Sequence, residues 1–299
     1  MKNKFPITGT FIDEITYDIP SSNWNFDQWR ADLDYMKAVG MDTLILIRGG
    51  FADKLLYPSA KLPNINREDL LSFFLDEAGK RDMHVFVGLY TSDLDWGGGD
   101  AATEIRRNRI FVREVMERYG DRPAFYGWYI PHEVGEDRLN ITEVMTGLSG
   151  LCKEAAPDKA VLISPYFKSA VIDPLHPMSP EEAYEEWDSI FRRCAQQIDI
   201  CAFQDGTAPV LQMESYLEMA ARLCSHHHMR HWSNVELFER DPRCEYYPIP
   251  FDTLRTKLAK SAPYIEKAIC FEFSHFLSPQ SIYPSARNLH GLYTAYYGD

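Results

Sequence analysis

Short apolar segments alternate with longer amphipathic segments eight times along this chain of 299 residues. Continuous apolar runs rich in β-branched and aromatic residues are typical of strands that are buried on both faces of a parallel sheet. Eight such β–α units predict an α/β fold, namely one (β/α)8 barrel domain that spans residues 1–299. The predicted strands are 7–12, 43–47, 84–89, 124–130, 160–164, 199–203, 231–236 and 268–273.

Segments with helical periodicity fill the intervals between the predicted strands. In the first of them, Phe26, Trp29, Leu33 and Met36 fall on one stripe of a helix. No GxGxxG motif follows the first strand, and this argues against an open dinucleotide-binding sheet. The other helices are expected at about 67–80, 102–119, 141–155, 182–197, 212–225, 252–260 and 286–297.

The connections between the predicted elements differ in length according to their direction. Links from helix to strand are short, as at 39–42, 80–83 and 156–159. In (β/α)8 barrels the loops that run from strand to helix build the active face. The additional chain therefore predicts a functional site at the carboxyl ends of the strands. The long links are 13–25, 48–66, 90–101, 131–140, 165–181, 204–211, 237–251 and 274–285.

Charge and composition narrow the expected partners and compartment. The chain has 31 Lys and Arg against 44 Asp and Glu, a net charge of −13, so we expect no nucleic-acid partner. No run of 18 apolar residues occurs, so no membrane span is expected. The basic start at 1–6 is not followed by an apolar export signal. A cytoplasmic location is therefore the default expectation, and a periplasmic or secreted one applies if a leader was removed. Six scattered cysteines without a CxxC motif fit core positions in a reducing compartment.

Glutamates recur where the predicted strands end. Glu133 follows the fourth strand, Glu236 ends the seventh, and Glu272 lies near the end of the eighth. A carboxylate in an apolar strand is costly unless it is paired or functional. Strands four and seven face each other across an eight-stranded barrel, so Glu133 and Glu236 are the candidate catalytic pair. Two such carboxyl groups suit glycoside hydrolysis, since one protonates the leaving oxygen and the other attacks the anomeric carbon or activates water.

Other polar side chains near the strand ends are candidates for binding substrate. Arg48 can fork onto a carboxylate or a substrate oxygen, and its expected role is to hold Glu14 or Glu272 ionised. Asp13 and Glu14 either join the acidic cluster or cap a turn. Tyr90 and Tyr166 are candidate hydrogen-bond donors, and His132 either orients the adjacent glutamate, binds a sugar hydroxyl or supports its loop. The full candidate set for substrate binding is Glu14, Arg48, Tyr90, Trp96, His132, Tyr166, Gln204, Asn234 and Glu272.

Aromatic residues crowd the same long loops. Sugar rings present apolar C–H faces that stack on such side chains, although rings in loops also serve to pack the loops onto the barrel. Trp96 lies beside the glycines at 97–99 and is the expected exposed platform. The loop aromatics are Tyr17, Trp24, Tyr57, Tyr90, Trp96, Tyr166, Phe167, Phe238, Tyr246, Tyr247, Phe276 and Tyr283.

A glutamate after strand four and another at the end of strand seven resemble the clan of retaining (β/α)8 glycoside hydrolases. This resemblance implies that Glu133 is the acid/base and Glu236 the nucleophile, with His132 at a position where the clan usually has Asn. More closely, the chain is similar to an uncharacterised (β/α)8 barrel family that is provisionally assigned to the glycoside hydrolases. The segments that carry this likeness are 8–14, 29–50, 128–133 and 234–236.

The preferred function is hydrolysis of an O-glycosidic bond in an oligosaccharide or polysaccharide, without a metal or other cofactor. Two alternatives stay open. Glu133, Asp205, Glu236 and Glu272, together with Gln204, would suit Mg²⁺ or Mn²⁺ in a metal-dependent sugar isomerase or hydrolase. The same rim would also serve a carbohydrate-binding barrel without catalysis. The sugar, the linkage and the oligomeric state are not predicted.

Four histidines cluster between the sixth helix and the seventh strand, at His226, His227, His228 and His231. This link lies on the face opposite the long loops. Histidines at the carboxyl end of a helix complement its dipole. We therefore expect them to be structural rather than metal ligands.

Overall fold

The computed structural model describes residues 4–16, 23–66, 68–92, 100–136, 140–240 and 245–298. Eight parallel strands form a closed barrel in which each strand pairs with its neighbour in sequence and the last pairs with the first. This confirms the predicted α/β barrel, and every strand bound lies within two residues of its prediction. The strands are β1 (Ile7–Ile12), β2 (Thr43–Leu46), β3 (His84–Gly88), β4 (Phe125–Ile130), β5 (Ala160–Ile163), β6 (Ile200–Gln204), β7 (Arg230–Glu236) and β8 (Lys267–Phe271).

Amphipathic helices surround the strands. Two of them begin with a capping box, in which Asn25 and Ser179 each accept a hydrogen bond from the third helical N–H. None of the helices in the described part of the chain has the length and apolar character that crossing a bilayer requires. The helices are α1 (Phe26–Ala38), α2 (Leu70–Gly79), α3 (Ala101–Tyr119), α4 (Ile141–Ala155), α5 (Pro180–Cys194), α6 (Met213–His226), α7 (Phe251–Ser261), α8 (Phe273–Phe276) and α9 (Pro284–Tyr297).

Alternation of side chains along each strand creates two apolar layers. Phe11, Phe86, Tyr129 and Trp232 belong to a cluster of ring and aliphatic side chains that fills the barrel interior. A second, larger cluster lies between the strands and the helices. A Cβ at Gly127 would come within 2.7 Å of the Phe86 ring, so glycine is required there for the interior to pack.

Short elements in the loops were not predicted. Gly50–Phe51 pairs with Lys54–Leu55 and with Tyr90–Thr91, and Phe238–Arg240 pairs with Tyr246–Pro248. Ladders of two or three residues carry no periodic signal, so sequence patterns do not reveal them. The prediction that β8 runs to 273 was wrong as well, since the strand ends at Phe271 and α8 begins two residues later.

The cysteines pack in the core as expected. Within the described residues, five of them are buried free thiols, and Cys244 lies outside the described residues. The five are Cys152, Cys194, Cys201, Cys224 and Cys270.

A buried aspartate fastens α1 to the loop that follows β8. Asp32 accepts hydrogen bonds from Ser274 at 2.7 Å, from Ser278, and from Gln280 at 3.4 Å. Burial raises the pKa of Asp32 to about 6, although these hydrogen bonds oppose the rise. The contact matters for function because this loop carries Phe276 to the mouth of the barrel.

Replacing this carboxyl group should change how stability depends on pH. The pKa of Asp32 is higher in the folded than in the unfolded protein, so between about pH 4 and 6 the folded protein keeps this carboxyl group protonated while the unfolded chain does not. The free energy of unfolding therefore falls as pH rises through that window. Asp32→Asn removes this titration. We expect urea unfolding to show the variant gaining about 3 kcal/mol relative to the parent as pH rises from 3.5 to 7. Asp27→Asn, on the exposed side of the same helix, is the control. A difference independent of pH would contradict the assignment.

Candidate active site

A pocket of about 250 Å³ opens at the carboxyl ends of the strands. Glu133, three residues after β4, and Glu236, the last residue of β7, both line it. Arg48, Gln204 and Asn234 line the same pocket. The structure thus brings together five of the residues that the sequence singled out, on the face that the loop lengths predicted.

One side of the pocket is aromatic. Phe238, Tyr246, Phe276 and Tyr283, four of the loop aromatics in the sequence prediction, line it. The Phe238 ring lies 4.9 Å from Tyr246 and 5.3 Å from Phe276, and Phe276 stacks on Tyr283 at 6.0 Å. These rings all come from the loops after β7 and β8. They form a continuous apolar surface of the kind on which a sugar face can stack.

Two neutral donors fix the carboxyl group of Glu133. The Tyr129 hydroxyl donates to Oε1 at 2.5 Å, and Gln204 Nε2 donates to Oε2 at 2.8 Å. Burial raises the pKa of Glu133, and the nearby Arg48 charge and the two hydrogen bonds oppose the rise. The group is therefore well oriented, and its proton is held more tightly than in water.

A buried ion pair holds the backbone at Glu236. Its N–H donates to Asp205 Oδ1 at 3.0 Å, and its carbonyl accepts from Lys257 Nζ at 2.9 Å. Lys257 Nζ lies 2.6 Å from Asp205 Oδ1, and both side chains are buried. Burial raises the pKa of Glu236 to about 7. The Lys257 charge opposes this rise, and the Asp205 charge adds to it.

Steric contact, rather than hydrogen bonding, sets the side chain of Glu236. A Cβ at Gly206 would lie 1.9 Å from Glu236 Oε2, so the carboxyl group packs directly on the backbone of the β6 loop. Only glycine leaves room for this approach. Among the described side chains, none donates a hydrogen bond to the Glu236 carboxylate, which leaves it facing the pocket.

A polar network behind the pocket corrects the predicted role of Arg48. Arg48 Nη1 donates to Asp13 Oδ2 at 3.2 Å, so its partner is neither Glu14 nor Glu272. Glu272 is buried; it accepts from the backbone N–H of Asp13 at 3.2 Å and lies 2.6 Å from Nδ1 of His275. His275, rather than Arg48, is the partner of Glu272 because it lies in α8, three residues further along the chain. The Phe271–Glu272 peptide is cis.

Glu14 lies beside this network and is not among the residues that line the pocket. Burial raises its pKa to about 9, and the charges of Glu272 and Asp13 add to the rise. Near neutral pH the side chain therefore carries a proton. The structure does not support the predicted direct contact of Glu14 with substrate, and the same holds for the buried Glu272.

His132 and Tyr90 are also not among the residues that line the pocket. His132 is buried, and its Nε2 lies 3.6 Å from Oε2 of Glu104 in the surrounding helix α3. The Tyr90 hydroxyl donates to the carbonyl of Ala52 within the small sheet. The structure therefore gives no support to direct contact of either side chain with substrate. Each side chain finds a partner in an element that the sequence did not place beside it.

Of the two remaining candidates, Tyr166 lies outside the pocket lining and Trp96 outside the described residues. The Tyr166 ring packs over Gly135, where a Cβ would meet it at 2.4 Å, and its backbone bridges to Gln204. Tyr166 is not among the residues that line the pocket. Trp96, the expected platform, lies outside the described residues.

Several important residues were missed by the sequence analysis. Tyr129, Lys257 and Arg240 were not singled out, yet they contact or surround the two glutamates. The burial of Lys257 could have been predicted from the sequence, because this lysine lies beside Leu254 and Leu258 on the buried stripe of α7. A lysine on an apolar stripe indicates a buried anion. For Tyr129 no pattern separates a donor from an ordinary core ring.

The carboxylates of the metal-dependent alternative do not assemble into one ligand set. Asp205 is bound to Lys257, and Glu272 is bound to His275. Neither is among the residues that line the pocket, where Glu133 and Glu236 are the acidic candidates of that set. The geometry therefore does not favour a four-carboxylate site for Mg²⁺ or Mn²⁺.

Comparison with known proteins places the chain in a family. A family model described as a domain of unknown function, DUF4434, matches residues 7–283. The chain belongs to this family. It is 35% identical to a protein from Bacteroides thetaiotaomicron that is provisionally assigned as an alpha-L-fucosidase. The crystal structure of that protein matches this one with a TM-score of 0.94, and the alignment covers 99% of this chain and 96% of that chain. No curated protein matches the chain.

More distant structures share the barrel. The intracellular xylanase from Thermoanaerobacterium saccharolyticum has a TM-score of 0.56 at 15% identity, with 90% of this chain and 86% of that chain covered. GH5_18 from Streptomyces cattleya, solved in complex with GlcNAc, has a TM-score of 0.57 at 15% identity, with 99% and 81% covered. At these identities the likeness concerns the fold. The shared feature is thus the (β/α)8 barrel itself.

Breaking the Lys257–Asp205 pair should be costly. Lys257→Met leaves the Asp205 carboxylate buried without its cation, and we expect the free energy of unfolding to fall by about 3–5 kcal/mol. Asp205→Asn combined with Lys257→Met removes the stranded charge and should recover part of the loss. Urea denaturation of both single variants and the double variant measures the coupling. Additive losses would show that the two side chains are not coupled.

Proposed function

We propose that the protein is a glycoside hydrolase that cleaves an O-glycosidic bond with retention, using Glu133 and Glu236. The observation that carries this proposal is that the two carboxyl groups, one just after β4 and the other at the end of β7, line one pocket with an aromatic side. Such hydrolysis needs a protonated and an ionised carboxyl group on either side of the bond. Burial raises both pKa values, which suits a site that must keep one proton near neutral pH.

In the assignment that the glycoside hydrolase clan implies, Glu133 protonates the leaving oxygen and Glu236 attacks the anomeric carbon. Tyr129 and Gln204 hold the acid in place. Loss of the aglycone leaves a glycosyl ester on the nucleophile. The acid/base, now ionised, takes a proton from the water that hydrolyses this ester, and retention results.

A second assignment exchanges these roles, and a specific observation favours it. Both oxygens of Glu133 accept hydrogen bonds, which stabilises the ionised form. Among the described side chains, none donates to the carboxylate of Glu236, and burial raises its pKa to about 7. The hydrogen bonds therefore favour the ionised form of Glu133, and burial favours the protonated form of Glu236. The two assignments make opposite predictions for activity against pH.

The pocket suits one terminal sugar ring. Its volume of about 250 Å³ lies below the roughly 300–1,000 Å³ of pockets for drug-sized ligands. Phe276 and Tyr283 offer a stacking surface, while Arg48, Asp13 and Asn234 offer partners for hydroxyl groups. We therefore propose release of single sugars from chain ends. The related protein with a provisional fucosidase assignment makes an aryl α-L-fucoside the first substrate to test.

Removal of either carboxylate should abolish turnover. With aryl glycosides as substrates, we expect Glu133→Gln and Glu236→Gln each to lower kcat/KM by about 10² or more, the range of general acid–base catalysis or above. Glu218→Gln, on the exposed face of α6, is the control and should be fully active. Full activity of both pocket variants would refute the proposal. Saccharide binding without any product from the parent protein would instead support a binding barrel.

Azide should identify which carboxylate is the nucleophile. In Glu236→Ala, azide can enter the vacated space and give a glycosyl azide of inverted configuration, whereas in Glu133→Ala the glycosyl-enzyme forms first and gives a retained azide. NMR of the azide products reads out the configuration. The opposite pattern establishes the exchanged roles. Release of the inverted sugar by the parent enzyme would contradict a retaining mechanism altogether.

The pH profile provides an independent test of the roles. A nucleophile must be ionised, so with Glu236 in that role kcat/KM should rise as pH increases through about 7, the pKa to which burial raises this group. If Glu236 is the acid, kcat/KM should instead fall through the same range. Initial rates with one aryl glycoside from pH 4 to 10 separate the two cases. A profile flat between pH 6 and 8 would contradict both.

A further inference from the structure

A second cluster of chemically active side chains lies on the opposite side of the molecule from the pocket. Asp188 of α5, together with His226 and His227 at the end of α6, each offer one ligand atom, and these atoms all lie within 4.8 Å of one another. We propose that this cluster binds one divalent transition-metal ion, of the Zn²⁺ class. The ion would join α5 to α6.

The geometry of the pair at its centre suits coordination. His227 Nε2 lies 2.9 Å from Asp188 Oδ1, and both side chains are about nine-tenths buried. Bonds of about 2.0–2.2 Å from one ion to a nitrogen and an oxygen bring the two ligand atoms to a separation only slightly larger than this. Small side-chain rotations therefore convert the hydrogen bond into two metal bonds. The ion replaces the proton between Nε2 and Oδ1, and that proton passes to the solvent.

The donor set selects the class of metal. Two imidazole nitrogens and one carboxylate oxygen match Zn²⁺ and its neighbours, and the fourth position would be open to water on the exposed side of His226. Mg²⁺ and Ca²⁺ prefer oxygen ligands throughout. The cluster should therefore discriminate strongly between these two groups of ions.

Surrounding contacts already orient the ligands. Arg192 binds Asp188 through Oδ2, which leaves Oδ1 directed at His227. The Tyr184 hydroxyl lies 3.4 Å from Nδ1 of His226, and the Phe191 ring packs edge-on against His227 at 5.6 Å between centroids. Outer contacts of this kind fix the rotamers of metal ligands. Binding of the ion therefore costs less side-chain conformational entropy.

A structural role was expected for the histidines because of their position at a helix end, opposite the long loops. Asp188 is 39 positions from His227 along the chain, and only the packing of α5 beside α6 brings them together. The remaining members of the run behave differently. His231 is buried and bonds to the carbonyl of Tyr264 at 2.9 Å, and His228 is exposed with a positive φ of 59°. His228 therefore serves as a matched control.

The test uses the full chain, free of any histidine tag and stripped with EDTA. Calorimetric titration with ZnCl₂ should show one site per chain, and one equivalent of Zn²⁺ should raise the Tm, since the ion binds the folded state. MgCl₂ should do neither. His227→Ala and Asp188→Asn should each weaken Zn²⁺ affinity by more than the roughly 10–100-fold caused by loss of an outer partner. His228→Ala should retain parent affinity.

A spectroscopic measurement separates a built site from surface histidine binding. Co²⁺ in place of Zn²⁺ should give a visible absorption band of four-coordinate type that saturates at one equivalent and disappears in His227→Ala. Comparable Tm values of the EDTA-treated variants and parent establish that folding is intact. The proposal is overturned if no saturable site is found, or if His228→Ala loses as much affinity as His227→Ala.

Discussion

Closing eight parallel strands into a barrel brings every strand end to one rim, where side chains are crowded and water is scarce. A carboxylate placed there is costly unless it is paired. The structure supplies a partner for several of them: Lys257 for Asp205, Arg48 for Asp13 and His275 for Glu272. Within the described residues, Glu133 and Glu236 have no ion pair of their own, and both face the pocket. Burial at the rim favours pairing of the other carboxylates, and among the described residues it thereby leaves Glu133 and Glu236 as the two that face the pocket unpaired.

Different kinds of contact hold these two groups. Glu133 is oriented by neutral donors, a hydroxyl and an amide, which can also follow the carboxyl group when its charge changes. Glu236 is positioned through its backbone by the Lys257–Asp205 pair and through the close approach of Gly206 to its carboxyl oxygen. Its orientation is thus independent of its protonation. In a two-step hydrolysis the acid/base gives its proton to the leaving oxygen and later takes one from water, so a carboxyl group whose orientation does not depend on its charge suits both steps.

The strands and the face of the site could be predicted because both follow from local patterns. Buried parallel strands appear as short apolar runs, and long strand-to-helix loops mark the active face. That Glu133 and Glu236 line one pocket followed from their positions at the strand ends. The sequence left three roles open for His132 because, beyond the last strand residue, the two-residue alternation ends and nothing in the sequence shows that its neighbour on α3 is Glu104. Glu272 was misjudged for a related reason: the unpredicted helix α8 supplies His275. Long-range partners lie outside what periodicity can show.

The two ends of the barrel carry different physical tasks. At the mouth, burial raises the pKa values of Glu133 and Glu236, and such arrangements disfavour the folded state when the groups are ionised. Stability has to come from elsewhere, and in barrels the amino-terminal face is where it can be added without constraining the loops around the pocket. The cluster of Asp188 and His227 lies between α5 and α6 at that end. A contact there joins α5 to α6 and involves none of the residues that line the pocket, so it can add stability without touching the site.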